Sequence, residues 1–162
     1  MKRIIPIILL AVFCFYSPNQ AQHSNPIFAL HTQTKTNIDN VNWIKSKIEK
    51  YGGNQRKDYS YKVEFIESTG KIVITEFNAG ESTPRFKYTM SVCDFKEVRR
   101  NGMDIEILAN GTSIIGKGFN SNQESVWAGI RINHFVQAES NIVKRLHAAF
   151  KSLSESSAIN CK

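Results

Sequence analysis

The hydrophobic positions of this chain change period twice. From 36 to 51, Val41, Ile44, Ile48 and Tyr51 recur every three or four residues, which places them on one helical face, with Lys45, Lys47, Glu49 and Lys50 around the rest. Thr36 stands where an N-cap belongs, Asp39 falls in the first turn, and Gly52-Gly53 supplies the stop. The period then drops to two. Tyr61, Val63 and Phe65 alternate with Lys62 and Glu64, and Thr69-Gly70 turns the chain into a strand over 71–77. After a loop through Gly80 and Pro84, Phe86, Tyr88, Met90 and Val92 alternate with Lys87, Thr89 and Ser91. The alternation slips at 93–95, as at a bend or bulge. Met103, Ile105 and Ile107 form the next inward set, and Asn110-Gly111 predicts a two-residue hairpin that puts Ile107 opposite Ile114. Val126, Ala128, Ile130 and Ile132 form another set, with Trp127 and Arg131 pointing the other way. The helical period returns over 139–155, where Ile142, Leu146, Ala149, Phe150 and Leu153 make one stripe.

A helix, six to seven antiparallel strands and a closing amphipathic helix make an α+β fold: one domain over 37–158, its sheet strongly bent or rolled into a barrel. Residues 22–36 are polar, carry Pro26, and are expected to be a flexible leader. Residues 1–21 read as a cleavable signal peptide: Lys2 and Arg3, an apolar run over 4–16, then a small residue at Ala21. The run is shorter than the roughly 20 residues a spanning helix needs. Phe13, where a lipoprotein signal carries a small residue, argues against lipidation at Cys14. The expected destination is the periplasm or the outside of the cell, with no transmembrane segment after cleavage.

Export changes the reading of the cysteines. Cys93 and Cys161 remain once the signal is removed, and an even count in an oxidising compartment permits one disulfide. Neither belongs to a CxxC pair. The formal charge of +7 is spread in short groups, most with an acid close by, and no basic stretch is interleaved with stacking aromatics. A nucleic-acid partner is therefore not expected.

Few residues qualify for chemistry. Cys93-Asp94 with His134 is the one set that could supply a nucleophile and a base, but nothing in the sequence brings them together. His23, His31, His134 and His147 have no metal-ligand spacing. Glu64 with Glu76, and Asp104 with Glu106, read as solvated strand positions. Gly116-Lys117-Gly118 lacks the context of a phosphate loop. No catalytic residue, metal or cofactor is expected. What remains is an exported binding or interaction module for a protein or an envelope polymer. The alternative is a small secreted enzyme or hydrolase inhibitor without a recognisable motif. Contact would fall to the polar loops 78–85 and 119–125, with Trp127 as an aromatic anchor on the outer face unless the helix over 36–51 covers it.

The element order from Tyr59 to Leu153 resembles the pleckstrin-homology-like fold, which implies two stacked antiparallel sheets in a bent barrel plugged by the C-terminal helix. Phosphoinositide binding does not carry over, because the chain is exported and 61–77 holds no basic cluster. The fragments Trp43-Ile44-Lys45-Ser46-Lys47-Ile48 and Arg145-Leu146-His147-Ala148-Ala149-Phe150 resemble segments of small exported bacterial proteins of unknown function. The leading helix departs from the minimal pleckstrin-like unit and leaves a cystatin-like or nuclear-transport-factor-like sheet open.

Overall fold

The first helix stops where its pattern stops but starts earlier than the pattern suggests. The computed structural model describes residues 26–53, 58–121, 123–135, 139–156 and 161; the expected signal peptide lies outside them. Helix α1 is Pro26–Tyr51, so 26–36 is helical where a flexible leader was expected, and Thr36 is interior rather than a cap. Proline suits a first helical position, because its φ is already set and its missing N–H has no helical partner there. Polar residues continue the buried stripe. The Asn37 side chain is buried and donates to the Ser156 hydroxyl, and that of Asn40 donates to Ser152 at 3.0 Å. Ser152 lies in the closing helix α2 (Ile142–Ser154) and Ser156 just beyond it. At its C-terminus α1 is closed by Gly52 N–H on the Ile48 carbonyl, 2.9 Å, and tied to the sheet by Gly53 N–H on Asn133, 2.7 Å.

Eight strands lie among the described residues: β1 (Tyr59–Ile66), β2 (Lys71–Asn78), β3 (Pro84–Ser91), β4 (Phe95–Asn101), β5 (Asp104–Ala109), β6 (Ile114–Gly118), β7 (Glu124–Trp127) and β8 (Gly129–Ile132). They form two antiparallel sheets, five strands in the order β1-β2-β3-β6-β7 and three in the order β4-β5-β8. The fold is α+β, as the patterning predicts, but the sheets do not close into a barrel. The slip at 93–95 is a 3-10 turn, Val92–Asp94, with the Ser91 hydroxyl accepting from Cys93 N–H. It carries the chain from the larger sheet into the smaller.

Two expected pairings do not form. Asn110-Gly111 joins no hairpin: β5 pairs with β4 and β8, while β6 pairs with β3 and β7. Ile107 faces Val98 and Ile130, not Ile114. A type I′ turn needs positive φ at both central residues; Gly111 has it and Asn110 does not. Instead Asn110 N–H stays on the Asp94 carbonyl at 2.7 Å, and the chain then crosses to the other sheet. The expected strand over 126–132 is also two strands. Ala128 separates β7, an edge of the large sheet, from β8 in the small one. Val126 and Ala128 are consequently exposed, whereas Ile130 and Ile132 are fully buried.

The core collects Ile44 and Ile48 of α1, Val63, Ile72, Ile74 and Met90 of the large sheet, and Ile105, Ile107, Ile130 and Ile132 of the small one. The whole expected stripe of α2 joins them. Each such side chain contributes about 1.5–3 kcal/mol on burial. Met103 is not among them: it is exposed in the tight β4–β5 turn beside Gly102, so its place in an inward set with Ile105 is corrected. Cys93 and Cys161 are joined as a disulfide, Cα to Cα 5.2 Å, pinning the 3-10 turn to the chain beyond α2. No helix among the described residues is long and apolar enough to cross a membrane.

Candidate functional site

Strand register decides which side chains meet at the open end of the molecule. On β2 the inward set runs Ile72, Ile74, Glu76, so the third inward position is a carboxylate. Across the sheet Glu76 stands opposite Tyr61 of β1 and Phe86 of β3, and one step along Ile74 stands opposite Tyr88. Phe86 and Tyr88 do point inward as expected, but beyond the end of the core, so they are only half buried. Their rings lie 4.6 Å apart. Trp127 of β7 stands opposite buried Ile114 and meets Phe86 edge-on at 6.2 Å. It therefore shares a face with the core rather than occupying the outer surface. Helix α1 does not cover it, since α1 packs on β1 and α2, and Trp127 stays 45% exposed.

The small sheet supplies the other wall. Arg99 of β4, Glu106 of β5 and Arg131 of β8 are register partners, one row across three strands. This row lies on the face opposite Ile105, Ile107, Ile130 and Ile132. Together the walls enclose a cleft of about 680 Å³, within the range that holds small ligands. A hollow of about 260 Å³ opens beside it between 78–85 and 118–121, sharing Arg85, so parts of the two loops expected to make contacts do come together. Another hollow, at Trp43, is crowded by cations: Arg145 and Lys47 sit 4.9 and 5.6 Å from the ring centre.

Both cleft carboxylates are buried, against the expectation that they are solvated; Glu76 is 3% exposed and Glu106 8%. Glu76 accepts from Arg85 at 2.7 Å, from the Tyr61 hydroxyl at 3.0 Å and from Asn133 at 3.2 Å. Glu106 accepts from Asn101 at 2.7 Å, Arg99 at 2.9 Å and Arg131 at 3.1 Å. The hydrogen bonds from Asn101 and Arg99 hold the Glu106 carboxyl below the usual carboxylate range. Burial, reinforced by the charge of Glu76, pushes the Tyr88 phenol up to about 12 and the Tyr61 phenol higher still. At neutral pH the cleft thus holds an ionised Glu106 and un-ionised phenols. Gly116 underlies the aromatics: a Cβ there would stand 2.7 Å from Phe86 and 2.8 Å from the Trp127 indole nitrogen.

The remaining candidates do not converge. Cys93 is bonded to Cys161, so its sulfur is not a thiol nucleophile. His134 stacks on Tyr59, and His147 accepts from Val98 N–H at 3.3 Å beside Phe95. Among the described residues no three His, Cys, Asp or Glu side chains gather as a metal site; His23 lies outside them and the His31 side chain is not described. Glu64 is exposed and paired with Lys62 at 3.0 Å. Gly116-Lys117-Gly118 is part of β6. Of the residues weighed for chemistry or contact from sequence, Trp127, Glu76 and Glu106 line the cleft, and Glu64, Asp104, Cys93, His134 and His147 do not. The sequence contained one further signal, a glutamate at an inward strand position, Glu76 after Ile72 and Ile74. Comparison with protein-family models, curated proteins and solved structures finds no match for the chain.

Proposed function

We propose that this protein is an exported, non-catalytic binding module that takes its ligand in the cleft between the two sheets, with Trp127 as the anchor. The observation that carries the reading is the state of the lining. An aromatic surface is left open to solvent, while both oxygens of each carboxylate beneath it accept hydrogen bonds from neighbouring side chains. A carboxylate engaged on both oxygens by neighbouring donors is poorly placed to move protons, whereas an exposed indole beside polar groups suits contact. Export is supported by the charge and hydropathy order of residues 1–21 and by the Cys93–Cys161 bond, which belongs to an oxidising compartment. The partner is a protein or an envelope polymer, or a small molecule displayed by one.

Trp127→Ala tests the reading. The expected result is loss of ligand retention with stability changed by no more than about 1 kcal/mol, the scale of one aromatic pair contact. A loss of several kcal/mol in chemical denaturation would show that the ring only packs.

A further inference from the structure

The cleft has engaged its carboxylate oxygens and kept guanidinium donors to spare. All four carboxylate oxygens of Glu76 and Glu106 already accept hydrogen bonds from the surrounding side chains. A guanidinium carries five N–H donors. Arg85 and Arg131 each commit one nitrogen to a glutamate within hydrogen-bond distance, and their side chains are 48% and 55% exposed. The Tyr88 hydroxyl has no hydrogen-bond partner among the described residues. Three guanidinium groups face two carboxylates in the lining, with Asp104 and Glu97 reaching Arg131 and Arg99 only at 4.0 Å, beyond hydrogen-bond distance. A neutral polyol must place its own O–H donors as well as its acceptors, and here the Tyr88 hydroxyl and the Asn133 amide oxygen are few acceptors against the guanidinium donors. A group that only accepts meets no such cost, and a planar guanidinium offers it two parallel bonds.

Resting on the reading of the cleft as the ligand site, we propose that the ligand is a small organic carboxylate with a flat apolar body. The body lies against Trp127 and Phe86, and the carboxylate takes the unspent N–H groups of Arg85 and Arg131. Gly116 fits this arrangement, because a side chain there would lift both rings into the space the body needs. Half-exposed guanidinium groups make the attraction sensitive to screening.

Calorimetric titration of the exported protein with 2-naphthoate, 2-naphthamide and 2-naphthyl phosphate tests the proposal. The acid should bind one-to-one and about tenfold or more tighter than the amide, and should weaken as salt is raised. Arg131→Gln should remove most of the difference between acid and amide, whereas Trp127→Ala should weaken both alike. Arg131→Lys keeps the charge beside Glu106 but loses the fork, and should give an intermediate loss if the glutamine variant does not fold. Acid and amide binding equally, both abolished by Trp127→Ala, would overturn the carboxylate and leave the cleft standing. Tighter binding of the phosphate would overturn the carboxylate in favour of another anion. Failure of all three probes, or binding untouched by either substitution, would overturn the cleft reading itself.

Discussion

Glu106 is the residue whose environment makes the sharpest statement about pH. Its folded carboxyl lies below the usual value of about 4.3, so the stabilisation it brings is complete above that value and fades as pH falls through the lower folded one. Glu106→Gln should cost about 1–2 kcal/mol near pH 7, the size of hydrogen bonds to a charged group discounted for half-exposed arginines. The gap between wild type and variant should narrow below about pH 4. Urea unfolding at a series of pH values measures it, and a gap that stays constant to pH 3 would contradict the assignment. Glu106 looked solvated in the sequence because alternation reports which way a residue points and not what reaches over it. Arg99 and Arg131 lie seven residues before and twenty-five after it, and only strand register puts all three in one row.

At the scale of elements, period proved a better guide than turn chemistry. The α2 stripe and the inward set of β1 follow their spacing, because a wrong face would expose several apolar side chains at once. Connections are decided by single residues: Thr69-Gly70 turns β1 into β2 as its composition implies, whereas the later connections depart from theirs. Asn110-Gly111 has the composition of a hairpin, yet Gly102 makes the tight turn, at φ +60 between the paired residues Asn101 and Asp104. Gly102→Ala should therefore destabilise by about 1–2 kcal/mol, the cost of a left-handed backbone for a residue with a Cβ. Asn110→Ala should stay within about 0.5 kcal/mol, because its side chain sets no turn. Equal losses in thermal unfolding would restore the hairpin to 110–111. Strand β4 escaped notice because Phe95, Val98 and the polar residues between them do not alternate; the register shift between Phe95 and Glu97 explains why. The extra length of α1, 26–36, does not read as helix because it carries no sustained apolar stripe after Leu30 and Pro26 resembles a breaker, whereas at a first helical position proline fits.

For the whole molecule, the bond between Cys93 and Cys161 is the one covalent tie across the fold, closing a span of 68 residues. Restricting an unfolded chain over that length contributes about 4 kcal/mol in the chain-entropy account. Reduction should lower the urea midpoint accordingly, with the Cys93→Ser/Cys161→Ser variant matching the reduced protein. An unchanged midpoint, or two reactive thiols in the denatured, unreduced protein, would exclude the bond. The pairing could be read from cysteine arithmetic once export was inferred. The cleft could not, since it arises from how two sheets are set against each other.

That setting depends on Ala128. One residue joins the Trp127 wall to the Arg131 wall, and its carbonyl is itself held by Ala109 N–H at 2.9 Å. Two walls on so short a tether cannot swing apart without breaking the ladder on which the smaller one is built. The width of the opening is therefore a property of the main chain and not of side-chain repacking. A guest arriving there finds the host already in its final shape, and the entropy surrendered on docking is chiefly the guest's own.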